Sequence, residues 1–237
     1  MVTTQRVLHS LQGLSYGLGH LFFPRLCEGC SKPLLQVEEV VCLGCETQVA
    51  YTQYHHTVEN ETALRLSGRI PFKHATSLTY FTNEGLLQHL VHGMKYQGKT
   101  KNAVYLGKQL GMAIKDLNWE VDALIPVPLH KKKEAARGYN QSLYICKGIA
   151  AILELPVLQH VVVRNRFTTS QTNKTREERI ANVAGSFKVT DPDALSGRHI
   201  LLVDDVLTTG ATIEACANAL LSIPGVSVSV ATVGLAV

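Results

Sequence analysis

Leu201-Leu202-Val203-Asp204-Asp205-Val206-Leu207-Thr208-Thr209-Gly210-Ala211-Thr212 passes from apolar to acidic to small and hydroxylated within one short run. With Ile200, the apolar start predicts a buried strand. The helical spacing of Ile213 to Leu221 predicts a helix after the loop. Strand, acidic pair, glycine loop and helix, in that order, predict an α/β fold with an open parallel sheet. In such sheets ligands sit at the carboxyl ends of the strands. A loop of free N–H groups closing onto a helix start attracts anions. Two adjacent carboxylates accept hydrogen bonds from sugar hydroxyls, or hold Mg²⁺, usually through water. This stretch therefore offers phosphate, diol and divalent-metal chemistry together.

The segments on either side extend the α/β pattern. Val226 to Val237 reads as a closing strand, Phe187 to Val189 as a short one, and Leu158 to Val163 as another. Val121 to Val127 is a further strand, which runs into Pro128-Leu129-His130-Lys131-Lys132-Lys133. The prolines end the strand's pairing. In an open sheet this second loop shares the carboxyl edge with the acidic pair. Lys131 to Lys133 is either a solvated charge run or the cationic end of the site. Arg137-Gly138-Tyr139-Asn140-Gln141 then opens or continues a helix to about Leu153. Between Arg164 and Asn182 five basic residues (Arg164, Arg166, Lys174, Arg176, Arg179) face Glu177 and Glu178. Thr168 to Asn173 has no apolar anchor, so the segment reads as a linker or as a cationic lid over a phosphate site.

Upstream, Leu78 to Phe81 reads as a strand, and Leu86 to Met94 and Ala103 to Leu117 as helices. The basic loop between them, Lys95 to Lys101, sets lysines beside a tyrosine, which suits phosphate or a nucleobase, but from spacing alone it reads as a solvated turn. Residues 56–77 form a polar connector with little periodicity. His55, His56, Arg65 and Arg69 are scattered along or next to it, and the adjacent histidines read as solvent-exposed.

The first 55 residues are a separate module. Cys27-x-x-Cys30 and Cys42-x-x-Cys45 are two knuckles, each containing a glycine that permits the tight turn. Four thiolates at this spacing close a tetrahedral site with no open position, which is structural zinc. A ribbon this small needs its metal to fold. Before it, Val7, Leu11, Leu14, Leu18 and Leu21 fall on one face of a short helix. That region is too broken by glycine and histidine to span a membrane. No secretory signal is apparent, so a cytoplasmic location is expected. In a 237-residue chain, 46% hydrophobic content supports a core, and 18% charged content excludes a disordered chain. The net charge of +4 permits a nucleic-acid partner without requiring one.

Asp204 to Thr212 resembles the 5-phosphoribosyl-1-pyrophosphate (PRPP) loop of the type I phosphoribosyltransferases. Nearly the whole chain is similar to the ComF family of bacterial competence-associated proteins. The carriers are the cysteine quartet, Lys95-Tyr96-Gln97-Gly98, Ile125 to His130, Arg137 to Gln141, Gln171-Thr172, Arg179 with Asn182, and the 203–212 loop. The resemblance implies a type I phosphoribosyltransferase-like sheet with helices on both faces over residues 78–237, preceded by the Cys₄ ribbon of residues 1–55. It implies that Asp204 and Asp205 bind the ribose hydroxyls of PRPP and Mg²⁺. Thr208, Thr209, Gly210, Ala211 and Thr212 would wrap the 5-phosphate. Pro128, Leu129, His130 and Lys131 would form the pyrophosphate loop, with Arg164, Lys174 and Arg176 in the lid. Partners implied are PRPP and, through DNA uptake, single-stranded DNA and the uptake machinery; a PRPP sensor without turnover is the other expectation. Purine-salvage members carry aspartate at the position of Thr208, so this chain departs from them.

Overall fold

The computed structural model describes residues 24–82, 85–165 and 185–237. The expected amphipathic helix of residues 6–22 lies outside them, as do Lys174 and Arg176. The chain divides into two compact units, residues 1–48 and 49–237.

In the first unit, the backbone turns twice around the cysteines. Leu26 bridges Pro33, and Glu28 N donates to Val40 O at 3.0 Å. A single-turn helix, α1 (Leu43–Glu46), carries Cys45. Its approach is fixed by the Glu38 carboxylate, which accepts from Leu35 N at 2.6 Å and from Leu43 N at 2.9 Å. Among its described residues Cys27, Leu34, Val40 and Val41 are the buried apolar ones.

The second unit is built on β1 (Ala75–Phe81), β2 (Ala123–Pro126), β5 (His199–Leu207) and β6 (Ser227–Ala236). They form one parallel sheet in the order β1-β6-β5-β2. Successive residues of β5, from Ile200 to Val203, are fully buried and point alternately to opposite faces. Both faces are therefore covered, as a parallel sheet requires. One face packs on α7 (Ala211–Leu221) through Ile200, Leu202, Ile213 and Cys216. Three further helices are α3 (Leu86–Tyr96), α4 (Thr100–Lys115) and α6 (Gln141–Leu153). α4 and α6 cross backbone to backbone, because a Cβ at Gly107 would lie 2.1 Å from Ile145 O and one at Gly148 would lie 2.2 Å from Val104 O.

Beyond β2 the sheet continues by one parallel bridge, Leu124 to Val157. The chain thus leaves β2 in one direction, toward Val157, and leaves β5 in the other, toward β6. The gap between β2 and β5 at their carboxyl ends is a topological switch point, where open sheets place ligands. A separate antiparallel pair, β3 (Val162–Arg164) with β4 (Phe187–Val189), lies outside this sheet.

Three sequence expectations change. The connector of residues 56–77 contains a helix, α2 (Glu61–Leu66), capped by Asn60 Oδ1, which accepts from Ala63 N at 2.9 Å. Six residues are too few for periodicity to reveal. The helix expected through Arg137 is two helices, α5 (Lys131–Arg137) and α6. Gly138 ends the first with φ 85°, and Asn140 caps the second. The strand expected over 158–163 starts later and pairs with β4 rather than extending the main sheet.

Candidate functional site

The acidic pair sits at the carboxyl end of β5, between α6 and α3. Asp204 Oδ1 accepts from Ser142 Oγ at 2.9 Å and from Asp205 N at 2.9 Å. Asp205 Oδ2 accepts from Gln141 Nε2 at 3.1 Å and pairs with Lys95 Nζ at 2.8 Å. Its other oxygen accepts from Val206 N at 2.6 Å. Gln141 and Ser142 open α6, so the start of that helix faces the carboxylates, as the helix dipole favours. Lys95 comes from the last turn of α3.

The two carboxyls differ in consequence. Burial, and Asp205 beside it, push the Asp204 pKa up to about 7. Burial pushes Asp205 upward too, but the Lys95 ammonium and the hydrogen bonds from Gln141 and Val206 outweigh it. The net shift is below the usual carboxylate range. At neutral pH Asp205 is the settled anion and Asp204 the one short of positive charge.

The 208–212 loop follows. Gly210 precedes α7 with φ 78°, and no side chain caps that helix start. A Cβ at Gly210 would meet Arg69 Nη1 at 3.0 Å and Leu66 Cδ2 at 3.2 Å. The loop's carbonyls are drawn away from its mouth. Arg65 Nη1 donates to Thr208 O at 3.1 Å, and Arg69 Nη1 donates to Thr209 O. Arg69 is itself fixed by Glu214 on α7, through Nε at 2.9 Å. α2 holds both arginines in place because Thr62 Oγ1 bonds Ser77 Oγ at 2.8 Å, which bonds Thr232 Oγ1 at 2.7 Å within the sheet. With its carbonyls engaged behind it, the loop is suited to present N–H groups forward to an anion.

Pro128, Leu129, Lys131 and Arg164 line one cavity of about 240 Å³ on the far side of β2. His130 caps α5 by accepting from Lys132 N at 3.2 Å and bridges to Arg164 in parallel register. Arg164 therefore lies within β3, its guanidinium 5.2 Å from the Phe187 ring centroid. Burial lowers its pKa, partly offset by Asp204. Burial also lowers the Lys133 pKa, reinforced by Arg164, Arg137 and Lys95. These four cations are close enough to repel one another, and an anion between them would relieve that.

Sequence reasoning found the acidic pair, the loop and the cationic turn. It missed Ser142 and gave no role to Arg65 and Arg69. It carried Gln141 only as a point of resemblance, and weighed Lys95 as a phosphate or nucleobase contact without linking it to the acidic pair.

In the other unit, the sulfurs of Cys27, Cys30, Cys42 and Cys45 all lie within 4.8 Å of one another, a cluster able to hold a metal ion. Cys27 Sγ accepts from Cys42 N at 3.2 Å and from Gly29 N at 3.3 Å. Burial raises the Cys27 pKa, but these N–H groups outweigh it and bring the thiol down to about 6. N–H groups aimed at sulfur favour the thiolate that metals bind.

The profile of the phosphoribosyl transferase domain matches residues 140–236, from the start of α6 through β6. Competence protein F of Haemophilus influenzae is 27% identical over 205 residues, covering 81% of this chain and 89% of that protein. The chain is a homologue of the ComF-type competence proteins. A second ComF-type relative, the DNA utilization protein YhgH of Shigella flexneri, is 30% identical over 140 residues. That alignment covers 57% of this chain and 61% of the relative, so it spans less than two thirds of that protein. Among solved structures, the adenine phosphoribosyltransferase of Thermoanaerobacter pseudethanolicus aligns with a TM-score of 0.38 and 18% identity, over 63% of this chain and 74% of that one.

Proposed function

We propose that the carboxyl rim of the sheet binds PRPP with Mg²⁺, and that the chain acts on or senses this ligand in DNA uptake or utilization in the cytoplasm. The observation that carries the reading is the junction, at a topological switch point, of an acidic pair, Asp205 buried and Asp204 half-buried, with a glycine-led helix start. In this reading Asp204 and Asp205 take the ribose hydroxyls. Thr208 to Thr212 surround the 5-phosphate, Pro128 to Lys131 take the pyrophosphate, and the segment from Arg164 through Lys174 and Arg176 closes over it.

The donor set suits Mg²⁺: hard carboxylate oxygens, with Asp204 held up near neutrality for want of positive charge. Asp204 and Asp205 would hold the ion through water, and bound there it would neutralise pyrophosphate oxygens. The chain's own part in the chemistry is positional. Lys131, Lys133 and Arg164 stabilise the charge that leaves with pyrophosphate as the anomeric carbon takes on positive character. Thr208 supplies no carboxylate to handle a proton on an acceptor, so an acceptor must attack the anomeric carbon without that help, or the ligand is held without turnover.

Calorimetry with Mg²⁺ and PRPP is the test. Wild type should bind, and the Asp204→Ala/Asp205→Ala variant should lose at least tenfold in affinity. Equal or absent binding in both rejects the reading. Pyrophosphate release then separates an enzyme from a sensor.

The cation cluster also supports a second reading, single-stranded DNA binding, in keeping with the relatives' competence and DNA-utilization names. It predicts oligonucleotide affinity that falls steeply with salt. The cysteine cluster fits one structural Zn²⁺ per chain, which elemental analysis of protein kept reduced should find at one equivalent.

A further inference from the structure

The amino-terminal rim of the same sheet carries an aromatic cavity that the PRPP reading leaves unused. Its volume is about 340 Å³, larger than the 240 Å³ cavity beside the pyrophosphate loop. That size lies at the low end of small-molecule sites. Its walls come from the single 3₁₀ turn Tyr54–His56, the residues entering β1, and the turn leaving α4. The sequence placed His55 and His56 in an exposed connector; the structure makes both part of this wall.

Four of the lining rings are aromatic. His74 stacks on Trp119 with centroids 4.8 Å apart and planes 11° from parallel. His55 and His56 lie 4.1 Å apart. Lys73 adds an exposed ammonium, and Asp116 is the one carboxylate among the described lining residues. Burial lowers the pKa of His74, aided by His199 and Lys73, and lowers that of His55, aided by His56. These rings are therefore neutral faces at pH 7.

The wall is also fixed. His74 N donates to Ser229 Oγ at 3.1 Å, and Val230 N donates to His74 O at 2.8 Å. Lys73 N donates to Val228 O at 2.9 Å. A site whose backbone is already pinned loses little freedom when a ligand enters.

Neutral stacked rings beside one lysine select a flat aromatic body that carries a negative group. A free base lacks the charge, and a bare phosphate lacks the ring. We propose that this cavity binds an unpaired nucleobase together with its phosphate, the base against the His74–Trp119 stack and the phosphate at Lys73. The ligand's source is a free nucleotide or a single-stranded nucleic acid. The DNA reading above supplies only the second source. The PRPP reading is not involved, because five steps along β5, about 16 Å of strand, separate His199 beside this cavity from Asp204.

Trp119 is the only tryptophan in the chain, so its fluorescence reports this cavity alone. Full-length protein is titrated with oligo(dT), with dTMP, and with an abasic deoxyribose-phosphate oligomer, while anisotropy of a labelled oligonucleotide follows binding anywhere on the chain. Saturable quenching by oligo(dT), unchanged by excess PRPP, is expected. Quenching by dTMP as well identifies a nucleotide pocket, and quenching by oligo(dT) alone a strand-binding one; both support the proposal. His74→Ala and Lys73→Gln should each weaken quenching, the former on the order of tenfold. The conservative Lys73→Gln keeps the test valid if His74→Ala does not fold. Anisotropy without quenching places DNA elsewhere and overturns the proposal while sparing the DNA reading. Equal quenching by the abasic oligomer, or no quenching by any ligand, also overturns it.

Discussion

β5 meets two different environments at its two ends. At the amino end, His199 is buried and fully paired: Nδ1 lies 3.0 Å from Glu120 O, Nε2 lies 2.8 Å from Ser229 Oγ, and the backbone N–H donates to Asp122 Oδ2 at 2.7 Å. At the carboxyl end, Asp204 and Asp205 lie side by side, and Lys95 pairs with Asp205. Burial shifts both ends. It lowers the His199 pKa, which leaves that ring neutral and comfortable. It raises the Asp204 pKa, which leaves a carboxylate under electrostatic stress. A group held in stress by a rigid scaffold marks a site that has work for a ligand. The amino rim, by contrast, offers its faces without stored charge.

The glycines of the two rims give the strongest way to break this contrast. Gly210 and Gly197 have similar left-handed φ values, 78° and 72°. Around Gly197 a Cβ meets nothing within 4 Å, whereas at Gly210 it meets Arg69 and Leu66 at 3.0 and 3.2 Å. Gly197→Ala should therefore cost only backbone strain, about 1 kcal/mol, with PRPP affinity intact. Gly210→Val should add steric displacement of Arg69, cost about 3 kcal/mol, and lower PRPP affinity at least a hundredfold. Chemical denaturation and calorimetry on both variants check this. Similar losses of affinity from both would remove the distinction between the rims.

Lys95 gives a smaller and more specific lever. Its removal leaves Asp205, with a side chain only 10% exposed, without its cation. Lys95→Met should destabilise by about 2 kcal/mol at pH 8. The sign follows from the lowered Asp205 pKa: this contribution is present above the unfolded carboxylate pKa and fades as pH falls through the folded one. Denaturation curves should thus show the variant's deficit shrinking toward pH 3. A deficit that does not change with pH would mean Lys95 matters only through packing.

The contrast between rims was only half legible in the sequence. The strand, the acidic pair, the glycine and the following helix are contiguous, so local chemistry displays them. The cysteine knuckles are readable for the same reason. The groups that give the acidic pair its properties are remote: Ser142 and Gln141 lie 62 and 64 residues from their partners, and Arg65 and Arg69 lie 143 and 140 residues from the loop carbonyls they hold. They meet because the sheet runs β1-β6-β5-β2, an order that hydrophobic spacing does not encode. Lys131 to Lys133 stayed ambiguous for a related reason. α5 buries no residue, so nothing in its pattern separates a cavity wall from a solvated face.

Asp204→Asn makes the smallest change and tests the idea of stored stress directly. Asparagine keeps the shape and an acceptor for Ser142 Oγ but removes the charge. Because the folded pKa of Asp204 is raised to about 7, the native state binds the proton more tightly than the unfolded chain does. Stability from this group is therefore full below the unfolded carboxylate pKa and is lost as pH rises toward 7. Asn should leave the melting temperature nearly unchanged at pH 4. At pH 8 it should raise stability by at least about 1 kcal/mol, a shift of about 2–4 °C for a domain of this size. Under the proposed function the same variant should also bind PRPP less well, since that reading gives the ligand's ribose hydroxyls to this carboxylate. Calorimetric melts at both pH values decide it. A variant less stable than wild type at pH 8 would show that Asp204 is simply a well-paired structural carboxylate, no more stressed than His199 at the other end of the strand.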